Sequence, residues 1–149
     1  GCELNDLPLD QLQLVQLPLS IYDQRLLLDG TIHYLHSKGL DIHARSVFLQ
    51  GLLLSPASQW PSYLSSGFRR HHQCWQEELR LNSCNELFAA LAFLRKIDSL
   101  EAVLIGVELV VQLHEILSAW TSTRPLPAYL LSRDWAWDNP LDLDPRRWL

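Results

Sequence analysis

The run Ala102-Val103-Leu104-Ile105-Gly106 is a short apolar segment, and a helical pattern follows it almost at once. Its length and its closing glycine favour a buried strand. The apolar spacing from Val110 to Trp120 predicts a helix. The side chains expected to face the interior from this helix are Leu113, Ile116, Leu117 and Trp120. Together the two segments predict one strand-then-helix unit.

The upstream chain contains two more such units. Their predicted strands are Leu12–Leu17 and Leu40–Val47. The helical patterns that follow these strands are Gln24–Ser37, Tyr63–Leu79 and Cys84–Arg95. An alternation of strands and helices implies parallel strands joined by right-handed crossovers. We therefore expect an α/β fold in which the three strands are neighbours in chain order.

Residues 122–149 have a different composition from the rest of the chain, because they are rich in proline and tryptophan. The residues concerned are Pro125, Pro127, Trp135, Trp137, Pro140 and Trp148. Large aromatic side chains rarely stay solvated, so this segment is expected to pack on the helices as an ordered tail. The expected organisation is thus βα units over residues 1–121 and a tail over residues 122–149.

Composition and charge exclude several classes of function. The chain has 149 residues and a net charge of −5, and its 12 Lys and Arg are scattered. This argues against a nucleic-acid partner. No window approaches the uninterrupted apolar length, about 20 residues, that a membrane helix needs, so no membrane association is expected.

The ends of the chain and its cysteines indicate the compartment. Gly1–Asp6 shows no secretory leader pattern, and the absence of Met predicts a processed or trimmed N-terminus. The three cysteines form no C-x-x-C pair, which predicts reduced thiols and a cytoplasmic protein. No metal site is predicted, because no usual zinc spacing is found among His71, His72, Cys74 and Cys84.

Three segments resemble the aldo/keto reductases, in the right order and at about the right separation. Val15–Arg25 resembles the family's sixth barrel strand, Ile42–Leu53 its seventh strand and loop, and Val103–Ile116 its eighth strand and helix. Asp144–Trp148 is similar to a tail ending found in one branch of the family. The resemblance implies the C-terminal part of a (β/α)8 TIM barrel, with parallel strands and helices on the outer face.

The resemblance also implies a set of cofactor-binding residues. Gln16 would hold the nicotinamide carboxamide, although a buried amide tying two strands together is an alternative. Arg45 stands where the family often has an aromatic residue stacked on the nicotinamide, and its planar guanidinium could stack as well. A salt bridge at the barrel rim is the alternative for Arg45. Loop positions that contact the pyrophosphate are matched by Ser46, Phe48 and Gln50.

The third segment departs from the pattern typical of enzymes that prefer NADP. Gly106 and Val107 replace a cation and a hydroxyl, and Gln112 replaces an arginine. Glu108 adds a negative charge that would repel a 2′-phosphate. Glu115 matches a position that contacts the adenine amino group. The expected cofactor is therefore NADP or NAD, with no preference settled by the sequence.

No catalytic residue is predicted in this chain. The resemblance places the family's proton-donor tyrosine and its Asp, Lys and His partners on earlier strands, upstream of Gly1. The tyrosines present here are at no recognisable spacing from a Lys and an Asp; they are Tyr22, Tyr34, Tyr63 and Tyr129. A nucleophile built from Ser46, His43 and Asp41 is discounted, because neighbours on one strand point to alternate faces.

The resemblance implies an oxidoreductase that uses a nicotinamide cofactor on a carbonyl or alcohol substrate, with this segment supplying cofactor-binding residues. The alternative is a barrel without catalysis that acts as a binding or assembly module, for example in sugar or polysaccharide biosynthesis. A sheet of three parallel strands has two open edges and a bare inner face. The expected partners are the N-terminal part of the same barrel or a second copy of the chain, together with a small carbonyl substrate.

Overall fold

Three short parallel strands form the sheet of this protein, and a computed structural model of the chain describes residues 8–148. The strands are β1 (Leu14–Pro18), β2 (Asp41–Arg45) and β3 (Ala102–Val103). They pair in the order β1-β2-β3, with Gln16 beside His43 and His43 beside Ala102. The predicted parallel order is confirmed. The leader pattern at Gly1–Asp6 and the Cys2 thiol lie outside the described residues.

Six α-helices connect and cover the strands in this part of the chain. They are α1 (Arg25–Leu28), α2 (Thr31–Ser37), α3 (Ser66–Leu81), α4 (Glu86–Arg95), α5 (Val110–Thr121) and α6 (Pro140–Leu143). Side-chain caps start the two central helices: Ser65 accepts from the N–H of Phe68, and Asn85 accepts from the N–H of Phe88. Such caps satisfy donors that the first turn of a helix leaves free.

The helix predicted over Gln24–Ser37 is in fact two helices. Gly30, between α1 and α2, adopts a φ of 81°, and Asp29 accepts a hydrogen bond from the N–H of Thr31. This left-handed position ends one helix and starts the next, and glycine takes it at little cost. The strands are also shorter than predicted. Ser46, with a φ of 57°, ends β2 before Val47, and β3 ends at Val103 rather than at Gly106.

One face of the sheet is covered and the other is open. The hydrophobic core includes or contacts a row of alternate strand residues: Val15, Leu17, Ile42, Ala44, Val103 and Ile105. On the opposite face Leu14 is 38% exposed and Leu104 is 37% exposed, and neither belongs to that core. Helices on one face only is the arrangement of strands in a barrel wall, as the sequence predicted.

The interior is filled by α2, α3 and α4, and α5 lies at the edge of this layer. Ile116 and Ala119 are the residues of α5 that pack against the core. The prediction that Leu113, Leu117 and Trp120 face inward was wrong, since these side chains are 41%, 50% and 36% exposed. Ile116 lies at the edge of the apolar side of α5, and only this edge packs on the described part of the chain, which the spacing of the apolar residues alone could not show.

The tail after α5 lies against the helices through a few buried anchors. Leu130, Leu131 and Leu143 are buried in the core, and the Trp137 ring stacks on Phe68 with centroids 5.3 Å apart. Asp142 is 2% exposed, and its carboxylate accepts hydrogen bonds from both the N–H and the hydroxyl of Ser65. The tail is therefore connected directly to the start of α3.

Candidate functional site

The carboxyl ends of β2 and β3 open onto one cavity of about 560 Å³. Because the two strands are parallel neighbours, the loops that follow them emerge at the same edge of the sheet. The first half of the lining consists of the loop after β2, with Leu87 of α4: Ser46, Val47, Phe48, Gln50, Gly51, Leu54 and Leu87. The second half comes from the end of β3 and from α5: Leu104, Ile105, Gly106, Val107, Glu108, Gln112, Glu115 and Ile116.

All the residues predicted to bind the cofactor line this cavity, except Gln16 and Arg45. They come from two segments more than 50 positions apart, and the parallel pairing of β2 with β3 brings them together. The cavity falls in the range typical of small-molecule sites, about 300–1,000 Å³. A shared cavity at the strand ends is where a barrel of this kind carries its chemistry.

The loop after β2 has an unusual backbone. Ser46, Leu49 and Gln50 adopt φ values of 57°, 47° and 55°, and Gly51 follows with a φ of 86°. Non-glycine residues in this left-handed region carry strain, which proteins tend to keep at ligand-binding positions. Within residues 8–148, some N–H groups of this loop donate to no protein acceptor, namely those of Val47, Phe48, Gln50 and Gly51. Val47 is only 1% exposed, whereas Phe48, Gln50 and Gly51 are more exposed and line the cavity, so the N–H groups of these three residues are the candidate donors to a ligand.

The turn between β3 and α5 is held by Gln112. Its amide oxygen accepts hydrogen bonds from the N–H groups of Glu108 and Leu109, at 2.9 and 3.1 Å. The Gln112 side chain therefore closes the start of α5, and only its amide NH₂ remains available to a ligand. Gly106 lies in the same turn, and a Cβ added there would meet nothing within 4 Å.

The ionisable side chains that line the cavity are both acidic. They belong to Glu108 and Glu115, and the lining includes no Lys, Arg or His. Both side chains are exposed, and neither takes part in an ion pair in the described part of the chain. The cavity thus combines free N–H donors on the loop after β2 with free carboxylates at the start of α5.

Two predicted site residues lie outside the cavity. Gln16 is the middle residue of β1, and in this chain it is exposed on the open face of the sheet. Arg45 ends β2, and its guanidinium donates to the Ser46 hydroxyl at 3.3 Å. Among the described residues Arg45 forms no ion pair.

A buried polar pair in the core was missed by sequence reasoning. The Tyr22 hydroxyl and Nδ1 of His72 are 2.8 Å apart, and Nε2 of His72 lies 2.9 Å from the carbonyl oxygen of Ser55. A carbonyl can only accept, so Nε2 carries the proton and Nδ1 accepts from Tyr22. Burial lowers the pKa of His72 and raises that of Tyr22 well above 10.0. Both residues are fully buried and do not line the cavity, so this tyrosine is not placed to protonate a substrate there.

A second cavity of about 750 Å³ lies between α4 and α5. It shares Leu54, Leu87 and Glu115 with the first cavity. Its other polar lining includes Glu86, His114 and Arg124, and the Arg124 guanidinium donates to the carbonyls of Ser83 and Asn82. Residues 8–148 bring together no group of three His, Cys, Asp or Glu that could hold a metal ion.

Among the known proteins compared with this chain, only solved structures are similar to it. No protein-family model matches the chain, and no curated protein matches it. Two structures of the aldo-keto reductase AKR11C1 from Bacillus halodurans superpose on it with a TM-score of 0.65 and 20% sequence identity. The alignment covers 85% of this chain, and 44% of the apo-form chain or 43% of the holo-form chain.

The chain has the fold of part of an aldo-keto reductase barrel. It spans less than half the length of the aldo-keto reductase structures that it matches. The predicted resemblance to the C-terminal portion of this barrel is confirmed at the level of the fold. No helix among the described residues has the length and apolar character needed to cross a membrane.

Proposed function

We propose that this chain supplies the cofactor-binding wall of an aldo-keto reductase-like oxidoreductase. The cofactor would be a nicotinamide dinucleotide, and the substrate a carbonyl compound or an alcohol. The observation that carries the proposal is the shared cavity at the carboxyl ends of β2 and β3, lined by Ser46, Phe48 and Gln50 on one side and by residues 106–108 on the other. In a barrel enzyme these ends hold the cofactor and the reacting groups.

The chemistry of the cavity suits a dinucleotide. A pyrophosphate needs several hydrogen-bond donors, and the loop after β2 offers free N–H groups together with the hydroxyl of Ser46. Arg45, which is hydrogen-bonded to Ser46, adds a positive charge beside this loop. The flat rings of the cofactor need apolar walls, and Val47, Phe48 and Ile116 line the same cavity.

Turnover requires a group that this cavity lacks. A carbonyl that accepts a hydride at carbon must also receive a proton at oxygen, from an acid within hydrogen-bond reach. The lining contains no Tyr, Lys or His, and Tyr22 is buried in the core. We therefore propose that the acid lies on other βα units of the intact barrel, and that this chain alone does not turn over.

The open surfaces of the chain support such a completion. The open face of the sheet exposes Leu14 and Leu104, and α5 exposes Leu113, Leu117 and Trp120 along one side. These three residues are spaced as a helix that packs on another helix requires. We infer that further βα units of the same barrel pair with the free strand edges and pack on this side of α5. A second copy of the chain is the alternative partner.

Binding of NADH by the purified protein tests the proposal. The variant Gly106→Trp should fill the cavity without disturbing the fold, because Gly106 has open space around it. We expect NADH to bind in the micromolar range and the variant to weaken it at least about tenfold. Lys96→Trp, an exposed change outside the cavity lining, is the matched control. Absence of binding, or equal binding by both variants, would overturn the proposal and leave the non-catalytic module as the better account.

A further inference from the structure

The loop after β2 holds a backbone conformation that its residue types do not favour. Three of its non-glycine residues, Ser46, Leu49 and Gln50, adopt left-handed φ values of 57°, 47° and 55°. Such backbone costs free energy, and it persists only where the surrounding structure fixes it. Strand β2 fixes the first side of this loop, because the strand ends at Arg45. Contacts on the second side must supply the rest of the constraint.

The second side is the segment of residues 52–55, which is hydrogen-bonded back to the loop. The N–H groups of Leu52 and Leu53 donate to the carbonyls of Leu49 and Phe48, at 3.1 and 3.2 Å. These bonds join the two sides of the turn. A displacement of residues 52–55 therefore changes the backbone at Leu49, one of the three strained positions.

Two buried side chains hold residues 52–55. The Trp60 indole N–H donates to the carbonyl of Leu52 at 3.0 Å, and Nε2 of His72 donates to the carbonyl of Ser55 at 2.9 Å. The two rings stack with centroids 4.5 Å apart, and these residues are 5% and 0% exposed. The other ring nitrogen of His72 accepts from the Tyr22 hydroxyl at 2.8 Å. Both rings are thus fixed, and neither lines the cavity.

We propose that Trp60 and His72 are positioning residues for the cavity. Their hydrogen bonds to the carbonyls of Leu52 and Ser55 keep the loop after β2 in its strained conformation, in which several of its N–H groups have no acceptor in the described part of the chain. When either bond is lost the loop relaxes, and those donors are no longer held together. The effect on the loop follows from these contacts alone, whereas the effect on nucleotide binding rests on the proposed function.

Amide hydrogen exchange of the purified protein, followed by NMR, tests the inference without a ligand. Trp60→Phe keeps an aromatic ring and removes the indole N–H. The amides of Leu52 and Leu53 should then exchange at least about tenfold faster, relative to the amides of α4. Trp75→Phe is the matched control, because it removes another buried indole N–H, whose acceptor is the carbonyl of Leu130 in the tail. It should leave that ratio unchanged.

A second pair of variants separates the hydrogen bond of His72 from its packing. His72→Gln retains an N–H donor that can reach the carbonyl of Ser55, whereas His72→Leu removes the donor. The glutamine variant should keep the exchange ratio within about threefold of that of the unchanged protein, and the leucine variant should raise it at least about tenfold. If His72→Leu does not fold, the comparison of Trp60→Phe with Trp75→Phe decides alone.

The possible outcomes separate the positioning role from the proposed function. An equal exchange ratio in Trp60→Phe and Trp75→Phe, or faster exchange spread evenly over the chain, overturns the positioning role. NADH affinity should fall at least about threefold in Trp60→Phe and stay unchanged in Trp75→Phe. If the exchange ratio rises in Trp60→Phe and NADH affinity does not fall, the positioning role stands and the proposed function is rejected.

Discussion

The amide oxygen of Gln112 accepts a hydrogen bond from the backbone N–H of Glu108, four positions earlier, at 2.9 Å. The same oxygen accepts from the N–H of Leu109 at 3.1 Å. The Gln112 side chain, which the resemblance assigned to cofactor binding, therefore also stabilises the backbone. It closes the first turn of α5 and fixes the turn that carries the carboxylate of Glu108.

Gln112→Ala should destabilise the protein by about 1 kcal/mol, the usual cost of losing a side chain that caps a helix start. Urea unfolding followed by circular dichroism measures the change. Gln73→Ala is the matched control, because Gln73 is an exposed glutamine on α3 with no side-chain hydrogen bond among the described residues. Equal unfolding midpoints for the two variants would contradict the capping role.

Gly106→Lys should strengthen NADP⁺ binding. The change places a cation in a turn that has none, next to the carboxylate of Glu108. We expect NADP⁺ affinity to rise about tenfold, with NAD⁺ affinity altered much less. The free space around Gly106 predicts a melting temperature close to that of the unchanged protein. Gly106→Gln, which adds length without charge, is the control, and an equal gain from it would refute the electrostatic explanation.

The carboxylate of Asp142 connects the tail to the start of α3, and its removal should destabilise the whole chain. It accepts from the Ser65 N–H and hydroxyl, the Trp137 indole N–H and the Asn139 amide, at 2.7 to 3.0 Å. Asp142→Ala should cost about 3 kcal/mol, because several part-buried donors lose their acceptor together. Chemical unfolding measures the cost, with Asp138→Ala, an exposed carboxylate, as the control. If Asp142→Ala lowers the free energy of unfolding by less than the control variant does, the tail is held by its apolar contacts alone.

The buried His72 predicts a loss of stability in acid. Burial holds the pKa of His72 below its ordinary value of 6.5. Just below pH 6.5 this histidine is therefore protonated in the unfolded chain but still neutral in the folded protein. The stabilising contribution is complete above pH 6.5 and is lost as the pH falls from there through the lowered pKa. The free energy of unfolding should therefore decrease as the pH is lowered from about 7.5 to about 5.

The variant His72→Gln separates this effect from general acid sensitivity. It should be less stable at neutral pH and should show a flatter dependence on pH over the same range. His36→Gln, which removes an exposed histidine, should keep the slope of the unchanged protein. An identical slope in His72→Gln would show that another group controls the acid response.

The order of the strands could be anticipated from the sequence, and so could the meeting of the loops after β2 and β3 at one edge of the sheet. The strands are short apolar runs, and each is followed along the chain by a helical segment. Parallel pairing then brings the carboxyl ends of β2 and β3 to the same edge of the sheet. The exposed side of α5 could not be anticipated, because Leu113, Leu117 and Trp120 form an apolar side that nothing covers in the described part of the chain. The Tyr22–His72 pair also escaped prediction, since 50 positions separate its members and only the packed core brings them together.

Gly30 and Gln112 show a second limit of sequence reasoning. The apolar spacing of residues 24–37 continues through Gly30, while the left-handed backbone at that glycine divides the helix. Gln112 lines the cavity, but the resemblance could not show that its side chain would be hydrogen-bonded to the backbone. In both cases local hydrogen bonds decided the outcome, and the pattern of residue types does not record them.

We propose that the cavity between the loop after β2 and the start of α5 holds a nicotinamide dinucleotide. Amide chemical shifts of the isotope-labelled protein, recorded during titration with NAD⁺, test it most directly. We expect saturable shifts concentrated at residues 46–51 and 104–116, with little change in the tail after Thr121. Shifts confined to other surfaces, or none at a millimolar excess of the nucleotide, would contradict it.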